Sequence, residues 1–220
     1  MQTDYFHHVR REIAPLLPMH AKCIVDVGCG IGATSAWLKS RYPDARTIGL
    51  EGNAAIRGEL ATNVDELHIV DLNGPLPEVG HPDLILFLDV LEHLLAPDKV
   101  LAGLARRLAP GGTVIVSLPN VAHLSVSFPL FVRGRFDYAD AGILDRTHLH
   151  FFVRASAIAL LNNAGLRVEK GVKSGFQGPR TRLIDFVTFG LLHDHLAKQY
   201  ILSGVKMTSI GQGEIEWYMN

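Results

Sequence analysis

Apolar and polar positions fall into blocks along the chain, and the repeat within the blocks switches between strand-like and helix-like. Residues 83–89, Asp83-Leu84-Ile85-Leu86-Phe87-Leu88-Asp89, are apolar without interruption between two acids, the pattern of a strand buried on both faces. Residues 22–28, 46–50, 67–71, 113–118, 166–173 and 200–207 read as further strands. Between them, helical spacing recurs over 33–41, 53–61, 97–109, 155–164 and 183–197. In the 97–109 segment Val100, Leu101, Leu104 and Leu108 share one face, Pro97 stands in the first turn and Gly111-Gly112 follow the end. Residues 5–17 add a helix stopped by Pro18. This alternation predicts an α/β fold: a doubly wound, seven-stranded, mostly parallel sheet with helices on both faces and an inserted segment before the last strand.

The first strand runs into Asp26-Val27-Gly28-Cys29-Gly30-Ile31-Gly32. Glycine lacks a Cβ, so a strand-to-helix turn with three glycines lets main-chain N–H groups approach a bulky ligand. A dinucleotide site requires G-x-G-x-x-G, with its third glycine inside the helix. This chain has D-x-G-x-G-x-G instead, and a carboxylate at Asp26 suits an ammonium or sulfonium group better than a pyrophosphate. Three further acids, Glu51, Asp71 and Asp89, stand at the ends of successive strands, where open α/β sheets bind their ligands.

Composition narrows the partners. The chain has 220 residues, 48% hydrophobic and 20% charged, with a formal net charge of -1, which argues against disorder and against a general nucleic-acid footprint. Its length predicts one domain over residues 1–220: an N-terminal helix over 1–18, a core over 22–118 that carries the glycine turn and the strand-end acids, and lid or insertion segments over 119–152 and 174–198. Residues 47–100 hold ten Asp/Glu and two Lys/Arg, whereas residues 133–182 hold nine Lys/Arg and four Asp/Glu. One part is suited to a cation and the other to an anion. Cys23 and Cys29 read as small buried residues without a disulfide. No spanning apolar run and no leader pattern is present, so the expectation is a cytoplasmic protein without a membrane span. The apolar stretch 121–132, with Phe128, Leu130 and Phe131, reads as core or homodimer packing, or as a mobile lid or an entrance for a greasy substrate, and peripheral membrane contact stays open.

The ordered motifs resemble the class I S-adenosylmethionine-dependent methyltransferases, whose Rossmann-like fold agrees with the strand pattern. The resemblance implies S-adenosyl-L-methionine as cofactor and S-adenosyl-L-homocysteine as product. It also assigns roles: Asp26, Gly28, Cys29, Gly30 and Gly32 as the glycine turn, and Glu51, followed by Gly52 and Asn53, at the ribose hydroxyls. Asp71 and Leu72 fall at the adenine edge, and Asp89, Val90, Leu91 and His93 near the methionine part. The later motifs, Leu118-Pro119-Asn120-Val121-Ala122-His123, Gly134-Arg135-Phe136-Asp137-Tyr138 and 142–152, resemble bacterial methyltransferases associated with polysaccharide or other glycan biosynthesis. The chain departs from that pattern at His150 and Val153, which leaves the helix near residue 154 without a side-chain cap.

Methyl transfer to an alcohol needs an in-line approach and the loss of a proton. His148, oriented by Asp145, is the expected base, and His123 is the second choice. Arg133, Arg135 and Arg146, with Asn120 and Tyr138, are the expected contacts to a small or glycan-like, anionic acceptor. The histidine pairs 7/8, 148/150 and 193/195 come without a clear third ligand, so no metal ligand is assigned, and the need for a divalent metal stays open. The leading expectation is O-methylation. Carbon or nitrogen methylation of a quinone or secondary metabolite stays open, as does a cofactor-binding but catalytically silent partner subunit.

Overall fold

The computed structural model describes residues 8–175, 178–207 and 215–219. The elements are β1 (Cys23–Val27), α1 (Ala33–Arg41), β2 (Arg46–Glu51), the short α2 (Arg57–Leu60), β3 (Glu66–Ile69), β4 (Leu84–Leu88), α3 (Pro97–Ala105) and β5 (Thr113–Pro119). Then follow α4 (Leu124–Arg133), α5 (Arg154–Asn163), β6 (Leu166–Ser174), α6 (Pro179–Val187), α7 (His193–Leu196), β7 (Gln199–Lys206) and β8 (Glu216–Met219). The strands form one sheet in the order β3-β2-β1-β4-β5-β7-β6-β8. Neighbours from β3 to β5 are parallel, β7 is antiparallel to β5 and β6, and β8 lies parallel to β6.

The expected sheet of seven strands is therefore one short, because β8 adds an edge strand that only four residues encode. It is anchored by Trp217, whose ring lies so close over Gly171 that a Cβ there would approach it to 2.6 Å. Two other segments also differ. Within the expected 5–17 helix, the described residues form a 3₁₀ turn over Arg11–Leu16 that contains Pro15, and residues 5–7, with His7, lie outside the described set. The expected 53–61 helix divides into a 3₁₀ turn, Ala54–Ile56, and the four-residue α2. At α5 the missing cap is half replaced from inside, since Ser156 Oγ accepts the Val153 N–H at 2.9 Å.

The side-chain alternation of β1 and β4 builds two cores. Val25, Val27, Ile85 and Phe87 enter one, and Ile24, Leu84 and Leu86 enter the other, on the opposite face. All seven are fully buried, as the uninterrupted apolar run at 83–89 predicts for a central strand. Because β1, β2, β4 and β5 are parallel and β7 runs the other way, the starting residue Gln199 of β7 pairs with Pro119 at the end of β5. Gln199 thus joins the carboxyl-end rim, where the acids stand.

Candidate active site at the carboxyl ends of the strands

A cavity of about 410 Å³ opens at this rim, lined by Arg10, Glu12, Asp26, Gly28, Cys29, Gly30, Glu51, Asp89 and Gln199 among others. The glycine turn shapes one wall. Gly28, Gly30 and Gly32 all have positive φ, and a Cβ on Gly28 would lie 2.5 Å from Val90 Cγ2. The turn is pinned to β2 by the Gly28 N–H, which donates to Leu50 O at 2.7 Å. Glu51 fastens the two loops: Oε2 accepts the Gly30 N–H at 2.9 Å and Oε1 the Asn53 N–H at 2.8 Å.

Asp26 is almost fully buried, and the Ser35 hydroxyl donates to it at 2.7 Å. Burial pushes its carboxyl up to about 6, against the Ser35 hydrogen bond. Burial likewise pushes the Cys29 thiol up, and Asp26 and Glu51 add to it, so Cys29 is an inert wall rather than a nucleophile. Its sulfur rests on Gly49, where a Cβ would come within 2.9 Å of Sγ.

Asp89 adopts φ 59, in the left-handed region that Asp tolerates better than most residues. Three elements hold it there. Its carboxylate accepts from Arg10 Nη1 at 2.6 Å, from Ser117 Oγ at 2.6 Å, and from the Gln199 side-chain amide. Arg10 also pairs with Glu12 and donates to Gln199 Oε1 at 3.3 Å. Sequence reading missed Arg10, Glu12 and Gln199, which carry no motif. The acids Glu12, Asp26, Glu51 and Asp89, facing one small cavity beside a wall of glycine backbone, fit a ligand that carries a sulfonium and an ammonium group.

Asp89 and Gln199 also line a second cavity, of about 730 Å³, with Asn53, Glu92, His93, Pro119, Asp140, Asp145, Thr147, His148 and Lys198. The loop carrying His148 is drawn there because Leu149 and His150 donate their N–H groups to Glu92 O at 2.8 and 3.1 Å. The rings of His93 and His148 meet edge to face, 4.7 Å between centroids. His148 Nδ1 faces Ile143 O at 3.1 Å, so Asp145 does not orient it. Asp145 instead accepts from Thr147 Oγ1 at 2.6 Å, and that hydroxyl lies 3.0 Å from His93 Nδ1. Burial, with His148 nearby, holds His93 below its ordinary value. Glu92 is buried, and neither of its carboxylate oxygens has a hydrogen-bond partner among the described residues. Burial and the neighbouring Asp89 hold its carboxyl well above the ordinary range.

The other expected residues divide. Asn53 and His93 line the second cavity rather than the first, while Gly32, Gly52, Asp71, Leu72, Val90 and Leu91 line neither. Asp71 closes a turn by accepting the Asn73 N–H, and Leu72 is core. His123 caps α4 by accepting the Ser125 N–H at 3.1 Å and does not line either cavity. Asn120 is fully buried, and its amide nitrogen donates to Asp194 O and Ala197 O, both at 2.8 Å, so it braces the loop before β7 and offers nothing to an acceptor. Arg135 pairs with Asp137 and Arg146 with Asp140 on the surface. Those two arginines, Arg133 and Tyr138 all lie outside the lining of both cavities. Of the basic residues over 133–182, Arg135, Arg146, Arg154, Arg167 and Lys173 each pair with a nearby acid.

Comparison with known proteins agrees with this geometry. A trans-aconitate 2-methyltransferase from Methylobacterium nodulans is 33% identical over 102 residues, covering 44% of this chain and 38% of the relative, so the chain matches less than half of that relative's length. An S-adenosylmethionine-dependent methyltransferase from Mesorhizobium loti shares the fold with a TM-score of 0.62 at 15% identity, over 89% of this chain and 96% of the other. The N-methyltransferase NodS from Bradyrhizobium japonicum, solved with S-adenosyl-L-homocysteine, aligns with a TM-score of 0.60 at 14% identity over 90% and 86%. The family model described as a methyltransferase domain matches residues 1–170. By that match, and with S-adenosylmethionine as the methyl donor to which the motifs over residues 26–93 point, the chain belongs to the methyltransferase domain family.

Proposed function

We propose that the chain methylates an oxygen of a small, hydroxyl-bearing acceptor of glycan or polyol type, held in the second cavity. The supporting observation is that Asp89 and Gln199 belong to the walls of both cavities, so donor and acceptor would meet across these two side chains. S-adenosylmethionine supplies an already activated methyl group, which leaves the protein the work of alignment and proton removal. Asp26 and Glu51 would hold the cationic and ribose portions, and Arg10 would offer charge-assisted donors to a carboxylate. The acceptor's proton would leave toward the acids and imidazoles that line this cavity, Asp145 among them. Asp89, Glu92, Asp140 and Asp145 give this cavity acceptors for hydroxyl donors, whereas Lys198 is its one Lys/Arg cation among the described residues. That lining replaces the expected arginine-bound anion.

A carboxylate acceptor is the second reading, favoured by Lys198 and by the trans-aconitate acceptor in the relative's name. The test is calorimetry with S-adenosylhomocysteine, followed by transfer of labelled methyl groups to nucleotide sugars, glycan extracts and di- and tricarboxylic acids. Micromolar binding with label on hydroxyl acceptors supports the proposal, and label on the acids alone moves it to the second reading. Cofactor binding with no transfer to any class would point to a silent partner subunit. Absence of cofactor binding refutes the donor assignment.

A further inference from the structure

The Glu92, His93 and His148 cluster has a composition that the proton-removal role does not explain. One ligand-type atom from each of the three lies within 4.8 Å of the other two. Both imidazoles are already set for ligation. His148 Nδ1 is turned to a carbonyl, Ile143 O, which selects the Nδ1–H tautomer and frees Nε2. His93 Nδ1 is turned to Thr147, whose hydroxyl in turn donates to Asp145, and this again frees Nε2. A histidine ligand whose other nitrogen is held by a carbonyl or a carboxylate relay is the usual outer arrangement of a metal site.

The independent observation is Glu92. It is 1% exposed, and Oε1 and Oε2 both lack a hydrogen-bond partner among the described residues. Leaving a carboxylate buried and unpaired is costly unless a cation or a proton meets it. Such a group beside two ligation-ready imidazoles, on the wall of the acceptor cavity, indicates what should fill the gap.

We propose that Glu92, His93 and His148 bind one divalent transition-metal cation of the zinc, cobalt or manganese type, with open coordination positions toward the acceptor cavity. Two imidazoles and one carboxylate form a borderline ligand set that suits these ions better than calcium. Bond lengths of about 2.0–2.2 Å place adjacent ligands around one centre roughly 3–3.5 Å apart, which three ligand atoms within 4.8 Å of one another can reach by small side-chain rotations. Three protein ligands leave positions for water or for acceptor oxygens, which is how catalytic rather than structural sites are built. The inference gives the proposed O-methylation its acceptor-binding group, and it rests on that reading only for the identity of what fills the open positions. Assigning no metal ligand from the sequence followed from pairing histidines close in the chain. Here the ligands are 92, 93 and 148, joined by the fold.

The test uses the full chain, stripped with EDTA and desalted, then titrated with Co²⁺ while the visible absorption is followed, and with Zn²⁺ in competition. The expected result is one saturable site per chain. Glu92→Gln and His148→Ala should each weaken Co²⁺ binding by at least ~10-fold, while His20→Ala, on the surface, should leave it unchanged. Circular dichroism checks that each variant is folded, and His93→Gln serves if Glu92→Gln is not. Binding weaker than millimolar, or folded variants that bind like the parent, overturns the proposal. S-adenosylhomocysteine binding is measured on the same stripped protein. If it is retained without a cation site, only this inference fails, and if it is lost while Co²⁺ still binds, the methyltransferase reading fails instead.

Discussion

Asp145 and His93 are joined through a single hydroxyl: Thr147 Oγ1 donates to Asp145 Oδ1 at 2.6 Å and stands 3.0 Å from His93 Nδ1. Asp145 is thus an orienting carboxylate, but for a different histidine from the one that its chain spacing indicates. The relay fixes which nitrogen carries the proton. Long-range ¹⁵N–¹H spectra should therefore show His93 and His148 as Nδ1–H tautomers at neutral pH. In Thr147→Val the His93 signal should shift toward a tautomer mixture while His148 stays unchanged, because its own partner is Ile143 O. An unaltered His93 spectrum in that variant would show that the relay does not hold the ring.

Gly28 tests the glycine turn by steric argument. An alanine there faces two separate penalties: φ +66, and a Cβ at 2.5 Å from Val90 Cγ2. The conformational part costs roughly 1–2 kcal/mol, and overpacking adds a similar amount. Gly28→Ala should lower urea-unfolding stability by about 2–4 kcal/mol and weaken S-adenosylhomocysteine binding. Adding Val90→Ala should recover only the overpacking share. A double variant fully as stable as Val90→Ala alone would show that φ is not limiting.

Asp26 carries a pH dependence of definite sign. Its carboxyl is raised from 3.8 to about 6, so between those values the folded chain binds a proton that the unfolded chain has released. Stability from this group is therefore largest below pH 3.8, falls as pH rises through 6, and is flat above. The full difference is on the order of 2–3 kcal/mol. Asp26→Asn should accordingly stabilise the ligand-free protein at pH 7.5 and do little at pH 4, while weakening cofactor binding. Urea titrations at the two pH values check the first effect and calorimetry the second. Equal gains at both pH values would assign the effect to packing instead.

Those features were legible because their causes are local. Gly28 has positive φ at the strand-to-helix turn, and the acids Asp26, Glu51 and Asp89 lie in or directly after strands whose burial pattern is written in consecutive residues. The residues that complete the cavity had no such signal. Arg10 and Gln199 are 189 positions apart, and only the reversed direction of β7 brings Gln199 to the carboxyl-end rim. Asn120 gives the opposite lesson. It lies next to the rim in sequence, yet its amide is consumed by Asp194 O and Ala197 O, because the chain between α7 and β7 needs its carbonyls satisfied. Asn120→Ala should therefore cost about 2–3 kcal/mol in stability with no change in the cofactor affinity of the folded fraction, as calorimetry at low temperature can check.

Arg10 is the residue on which the cofactor cavity depends most for its charge balance. Its guanidinium spans Asp89 Oδ2 at 2.6 Å, Ser117 Oγ at 3.2 Å and Gln199 Oε1 at 3.3 Å, and its main-chain N–H donates to Thr34 Oγ1 at 3.2 Å. The N-terminal segment is thereby tied to β4, β5, β7 and α1 at once. Arg10→Met keeps the aliphatic stem but leaves Asp89 at φ 59 without its cation. Hydrogen bonds to charged groups contribute ~1.5–3 kcal/mol each, so S-adenosylhomocysteine affinity should fall by about 10- to 100-fold. Arg10→Lys retains the charge but cannot fork between Asp89 and Gln199, and should fall between the parent and Arg10→Met. Calorimetric affinities in the order parent, Lys, Met, with the difference shrinking at high salt, are the expected result. Equal affinity in all three proteins would mean that Arg10 closes the cavity wall without taking part in binding.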